Sequence, residues 1–192
     1  MPSAREALLD SALSALSTLP WTAVRMVDVA ARAGVSRQTL YNEFGSKDGL
    51  ARALIRRAAD SYLADVEQAL GSARARGEGP AELARCTVRA ARANVLVMAL
   101  ITGVWGEDLP RPGEPPEGRR ADAAPPTATE LLTLVRDRAV AALQGGPQPR
   151  DPAELELSCE IALRLAVSYA LVPSPAPELS ARNPTAGDRS HR

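Results

Sequence analysis

Histidine, lysine, cysteine and aromatic side chains are all scarce in this sequence, and each shortage excludes something. The one histidine, His191, stands in the tail, where it has no nameable role. The two cysteines, Cys86 and Cys159, are far apart and match no metal or redox spacing. As helical residues they read as inert thiols rather than oxidant sensors. No metal, cofactor or enzymatic activity is expected, because a catalytic histidine, a metal cluster and a phosphate-cradling glycine loop are all missing. Aromatics make up only 3% of the chain. The 45% hydrophobic content is rich in alanine and leucine and favours helix over sheet. No run approaches the roughly 18 apolar residues that span a bilayer, and Met1-Pro2-Ser3-Ala4-Arg5-Glu6 lacks the basic-then-apolar layout of a secretory signal. A cytoplasmic location with reduced thiols is expected. The 23 basic residues equal the 23 acidic ones. That excludes an indiscriminate polycation but leaves room for a local basic surface.

What is present is helical punctuation. Ser3 with Glu6 three residues on has the form of a capping box. Apolar residues at Leu9, Leu13 and Leu16 then predict a helix near 4–18. A short helix is expected over 26–33, stopped by Gly34. Ser36 can cap a third over about 37–43, and Ser46, after Gly45, a fourth reaching about Leu70. The chain divides there: residues 1–70 form a first domain and 71–172 a second, while 173–192 have the composition of a disordered tail. Within the second domain, one long helix is expected over 81–101, with a shorter piece that includes Trp105. A Pro/Gly-rich loop follows over 107–126. A helix over 127–144 and another over 152–172 complete it, the latter opened by an Asp151 cap and Pro152. No segment reads as a strand.

Val29, Ala30, Ala33, Gly34, Val35, Leu40 and Phe44 have the spacing of a helix-turn-helix. Ala30 is small where two helices cross, Gly34 permits the turn, and Val35 with Leu40 plugs the second helix onto the first. The second helix would present Arg37, Gln38, Thr39, Tyr41 and Asn42 outward, and a helix of that size fits the major groove of DNA. Arg37 and Gln38 can contact guanine and adenine bidentately, and Thr39 a thymine methyl or a phosphate. Tyr41 and Asn42 are placed to reach the backbone. Lys47 is the only lysine in the chain. It opens the next helix, where free backbone N–H groups and the helix dipole favour a phosphate, so it reads as a DNA-backbone anchor. The remaining positive charge is expected on the same side, from Arg25, Arg37 and Arg52.

The run VDVAARAGVSRQTLYNEFGSKDGL resembles the DNA-binding domain of the TetR (tetracycline-repressor-like) family of bacterial transcriptional regulators. The residues carrying it are Asp28, Val29, Ala30, Ala33, Gly34, Val35, Ser36, Thr39, Leu40, Tyr41, Phe44, Lys47 and Leu50. The resemblance implies an all-α fold: an N-terminal three-helix helix-turn-helix DNA-binding domain, then a helical ligand-binding and dimerisation domain. It implies a dimeric repressor, released from a palindromic double-stranded DNA operator by a small-molecule effector. Arg25, Ser36, Arg37, Gln38, Thr39, Tyr41, Asn42 and Lys47 are the DNA-binding residues it points to.

Two positions depart from the family pattern. Arg25 stands where Thr or Ser usually caps the second helix and touches a phosphate, so the cap is lost while a longer arm remains. Glu43 stands where a histidine is common, and a carboxylate there gains no DNA contact. The ligand-binding residues implied in the second domain are Val97, Met98, Ile101, Trp105 and Tyr169, with a hydrophobic ligand expected. Dimerisation is expected through the helices near 127–144 and 152–172, because the stretch IALRLAVSYALV is too apolar to leave wet. The alternative in another class is a helical interaction module that keeps the helix-turn-helix as a protein-docking surface.

Overall fold

A computed structural model describes residues 3–73, 78–111, 124–144 and 151–172. The expected tail, the centre of the 107–126 loop and the connection at 145–150 lie outside the described residues. Every described residue in regular structure is helical, and no strand occurs among them. The fold is all-α.

The caps read from sequence are formed. Ser3 and Glu6 make a reciprocal capping box on α1 (Ala4–Leu16). A 3-10 turn at Trp21–Ala23 leads into α2 (Met26–Arg32), which begins at Arg25 with no side-chain cap. Ser36 accepts a hydrogen bond from Thr39 N and opens α3 (Arg37–Phe44). Ser46 Oγ accepts from Gly49 N at 3.1 Å in the first turn of α4 (Lys47–Ala73). Asp151 accepts from Ala153 N ahead of α8 (Pro152–Leu171). A second capping box, Thr127 with Glu130, starts α7 (Ala128–Leu143).

The expected 81–101 helix is broken. It divides into α5 (Gly79–Ala93) and α6 (Val95–Thr102) at Asn94, whose backbone is extended (φ −140°, ψ 113°). The Asn94 side chain accepts from Leu96 N at 2.9 Å, so it caps α6 rather than continuing α5. The break lets the apolar α6 turn inward, burying Leu96, Val97, Ala99, Leu100 and Ile101. No helix follows through Trp105; residues 103–106 are irregular, after a left-handed Gly103 (φ 72°).

The long α4 organises the molecule. It packs on α1 and α3 at one end and on α5, α6 and α7 along the rest. Tyr62, at its middle, is 1% exposed. The Thr87 hydroxyl donates to Leu83 O at 2.8 Å, which makes the Tyr62 hydroxyl the donor to Thr87 Oγ1 at 2.7 Å. Burial pushes the Tyr62 phenol well above its usual range, so it stays protonated and this bond pins α4 to α5. α8 packs against α5 and α7. No helix among the described residues is long and apolar enough to cross a membrane.

Candidate nucleic-acid interface

The turn between α2 and α3 depends on one glycine. Gly34 has φ +69°, which residues with a β-carbon rarely adopt. The turn closes when Val35 N donates to Ala30 O at 3.1 Å. Val29, Ala30, Leu40 and Phe44 are buried against α1 and α4. The buried Ser11 hydroxyl of α1 donates to Val29 O at 3.1 Å, which ties α1 to the middle of α2.

With Leu40 and Phe44 anchored, α3 turns its other side to solvent. Arg37, Gln38, Tyr41 and Asn42 are all exposed there. Gln38 Nε2 donates to Asn42 Oδ1 at 2.9 Å, so a side chain expected to read a base is held to one expected to reach the backbone. Thr39 is half-buried, and its hydroxyl lies 2.9 Å from Ser36 Oγ. Ser36 and Thr39 therefore bond each other at the helix start. Arg25 is exposed at the start of α2.

Lys47 does not project freely. Its ammonium donates to Thr22 O at 3.2 Å and stands 5.2 Å from the centre of the Trp21 ring, a cation–π distance. Partial burial holds its pKa below the usual lysine range, against the opposing influence of Asp48. Trp21 N in turn donates to Asp108 O at 2.8 Å, in the segment after α6. Lys47 thus joins α4 to the turn before α2, and that turn is joined to the second half of the chain. Neither Trp21 nor Asp108 carried a sequence signal for this role. Arg52, expected among the exposed cations, is 5% exposed, and its Nε has no hydrogen-bond partner. It contributes no arm to a basic surface.

Glu43 is the one carboxylate on α3. Arg5 of α1 pairs with it, with Nη1 3.5 Å from Glu43 Oε2 and 3.3 Å from Glu43 O.

The five residues expected to contact a ligand do not share one surface. Val97 and Ile101 are buried in the core, Met98 and Trp105 are half-buried, and Tyr169 is 52% exposed on α8. A cleft of about 600 Å³ opens between α4 and the start of α7, walled by Ala59, Leu63, Pro126 and Leu134 with Arg56 and Arg138, and includes none of the five. Cys86 and Cys159 are buried, and burial pushes the Cys86 thiol up, disfavouring the reactive thiolate.

An all-helical chain that begins with a helix-turn-helix and leaves its second helix uncovered belongs to the helix-turn-helix class. Residues 8–54 match the family described as bacterial regulatory proteins, tetR family. The match places the N-terminal helix-turn-helix, and not the rest of the chain, with that family. It is 39% identical over 106 residues to the HTH-type transcriptional regulator AlkX of Mycobacterium tuberculosis, an alignment covering 55% of this chain and half the length of that relative. Its fold is similar to the crystal structure of the TetR family repressor AlkX from a Dietzia species, a protein implicated in biodegradation of n-alkanes. That likeness has a TM-score of 0.51 at 22% identity and covers 91% of this chain and 87% of the other.

Proposed function

We propose that the protein is a dimeric, cytoplasmic transcriptional repressor that binds a palindromic DNA operator through α3 and is released by a small hydrophobic ligand. The observation that carries this reading is the uncovered face of α3, where Arg37, Gln38, Tyr41 and Asn42 stand in solvent while the opposite face is locked into the core. These side-chain types match base edges and phosphates, and the helix has the size the major groove admits. The proposed DNA-binding set adds Arg25, Ser36, Thr39 and Lys47. Of these, Lys47 needs only to swing from Thr22 O to meet a phosphate.

Two further features support the rest. Leu157, Ile161, Leu165 and Tyr169 form an exposed apolar row on α8, between 51% and 60% exposed. A monomer would leave that row in water, whereas α7 and α8 of two copies would cover it in a four-helix bundle. The apolar α6 is packed among α4, α5, α7 and α8, so a ligand reaching Val97, Met98, Ile101 or Trp105 would meet hydrophobic surface. The link of Asp108 to Trp21 and Trp21 to Lys47 then offers a mechanical route from that region to the DNA face. In a dimer the half-sites lie about 34 Å apart, so a small displacement is enough to misplace one α3.

Selection from a random DNA pool tests this reading. A twofold-symmetric sequence should emerge, bound with a steep loss of affinity as salt rises. A protein-docking module would select no sequence. With the selected DNA, Lys47→Ala is expected to weaken binding to all sequences alike and to reduce the salt slope by about one. An unchanged slope would leave the lysine as a purely structural clamp. Gln38→Ala is expected to relax preference at particular base pairs by about 1–3 kcal/mol. Uniform loss at every position would show that Gln38 touches only backbone.

A further inference from the structure

The exposed face of α3 carries one group that should oppose DNA. Glu43 follows Asn42 directly in the last turn of α3 and is exposed, and a carboxylate near a phosphate backbone is repelled. Its surroundings show how that charge is managed. Arg5, which is 38 residues away in sequence, places Nη1 3.5 Å from the Glu43 carboxylate and 3.3 Å from the Glu43 carbonyl oxygen. The same guanidinium lies 4.7 Å from the centre of the Phe44 ring. One side chain of α1 therefore engages the carboxylate, the last-turn backbone and the core anchor of α3 at once. A cation at a helix C-terminus also complements its dipole.

The pair is solvent-exposed, with side chains 44% and 37% accessible. Exposed pairs of this kind contribute little to folding. We propose that Arg5 is a positioning residue for DNA recognition, acting as the counter-ion of Glu43 so that the carboxylate does not repel the phosphate backbone. The inference rests on the DNA-binding reading above. In this role Arg5 acts through Glu43 rather than on the DNA, its guanidinium set against the carboxylate, the Glu43 carbonyl and the Phe44 ring. Without it, Glu43 turns an attractive surface partly repulsive.

A double-mutant cycle separates this role from the others. The DNA sequence selected by the wild-type chain is titrated by fluorescence anisotropy with wild type, Arg5→Ala, Glu43→Gln and the double variant, at low and high salt. Thermal unfolding establishes that each is folded. Arg5→Ala is expected to weaken binding about fivefold at low salt and by less at high salt, because the repulsion is screened. Glu43→Gln alone is expected to stay within about twofold of wild type, and in the Arg5→Ala background to restore wild-type affinity. Arg5→Lys, which keeps the charge, should retain most of the binding. If Arg5→Ala loses as much with glutamine at position 43 as with glutamate, the arginine acts as a phosphate contact or a mere prop and the inference is overturned. It is overturned equally if Arg5→Ala loses nothing. A wild-type chain that selects no DNA overturns the proposed function itself, a result distinct from a flat cycle on DNA that binds.

Discussion

Gly49→Ala is expected to destabilise the protein by about 2–3 kcal/mol, although helix propensity alone forecasts the opposite. Gly49 lies in the first turn of α4, where alanine would ordinarily gain about 1 kcal/mol. The chain, however, doubles back from α3 so closely that a β-carbon on Gly49 would collide with the Phe44 carbonyl oxygen. That oxygen cannot swing aside like a flexible side chain. It belongs to the backbone and already accepts a hydrogen bond from Ser46 N at 2.8 Å. Relief requires moving α3 away from α4, which loosens Phe44 and Leu40 and the Ser46–Gly49 cap together. Overpacking of this kind costs about 1–3 kcal/mol or more and outweighs the propensity gain. For a chain of this size the loss corresponds to a fall in Tm of roughly 5–10 °C, measured by circular dichroism. DNA affinity should fall with it, since the angle of α3 is set at this corner. A variant with unchanged or raised Tm would refute the close approach.

Ile161→Asp is expected to convert a dimer into a monomer and to abolish tight operator binding. Ile161 is 51% exposed in the middle of the apolar row of α8, between Leu157 and Leu165. Exposure means that the aspartate is tolerated by the isolated subunit, so folding should be preserved. In a twofold interface each substitution occurs twice, and two carboxylates would be driven into a desolvated apolar seam. A penalty of about 4 kcal/mol weakens association roughly a thousandfold. Sedimentation should show the wild-type protein at twice the 20.3 kDa chain mass and the variant at that mass. Affinity for a two-half-site DNA should drop to that of a single half-site. Equal masses for the two proteins would place the interface elsewhere.

The parts of the fold that could be read in advance are those set by neighbours in sequence. Ser3 with Glu6, Ser36 with Thr39 and Asp151 with Ala153 bond partners two or three residues away, so residue type and spacing are sufficient to foresee them. The helix-turn-helix is legible for the same reason: Ala30, Gly34, Val35 and Leu40 lie within one short stretch, and each has a local geometric duty. The Asn94 break differs from the single helix expected, although its signal is present, an asparagine ahead of the apolar run VLVMALIT. The helix-forming residues on both sides outweighed it. The expected ligand residues are spread between the core and the surface of α8. Apolar content reveals that α6 is enclosed, but not which of its faces borders a cavity.

By itself, then, the sequence determined the all-helical class, most helix ends and the face that α3 turns outward, because these follow from hydrogen bonds and side-chain periodicity within a few residues. Only the tertiary structure decided that Lys47 rests on Trp21 and Thr22, that Arg52 is buried, that Arg5 pairs with Glu43 and that Gly49 lies against the Phe44 carbonyl. Each of these is a meeting of atoms brought together by how α1, α3 and α4 cross. Such distances are set by packing of the whole core, and no spacing along the chain encodes them.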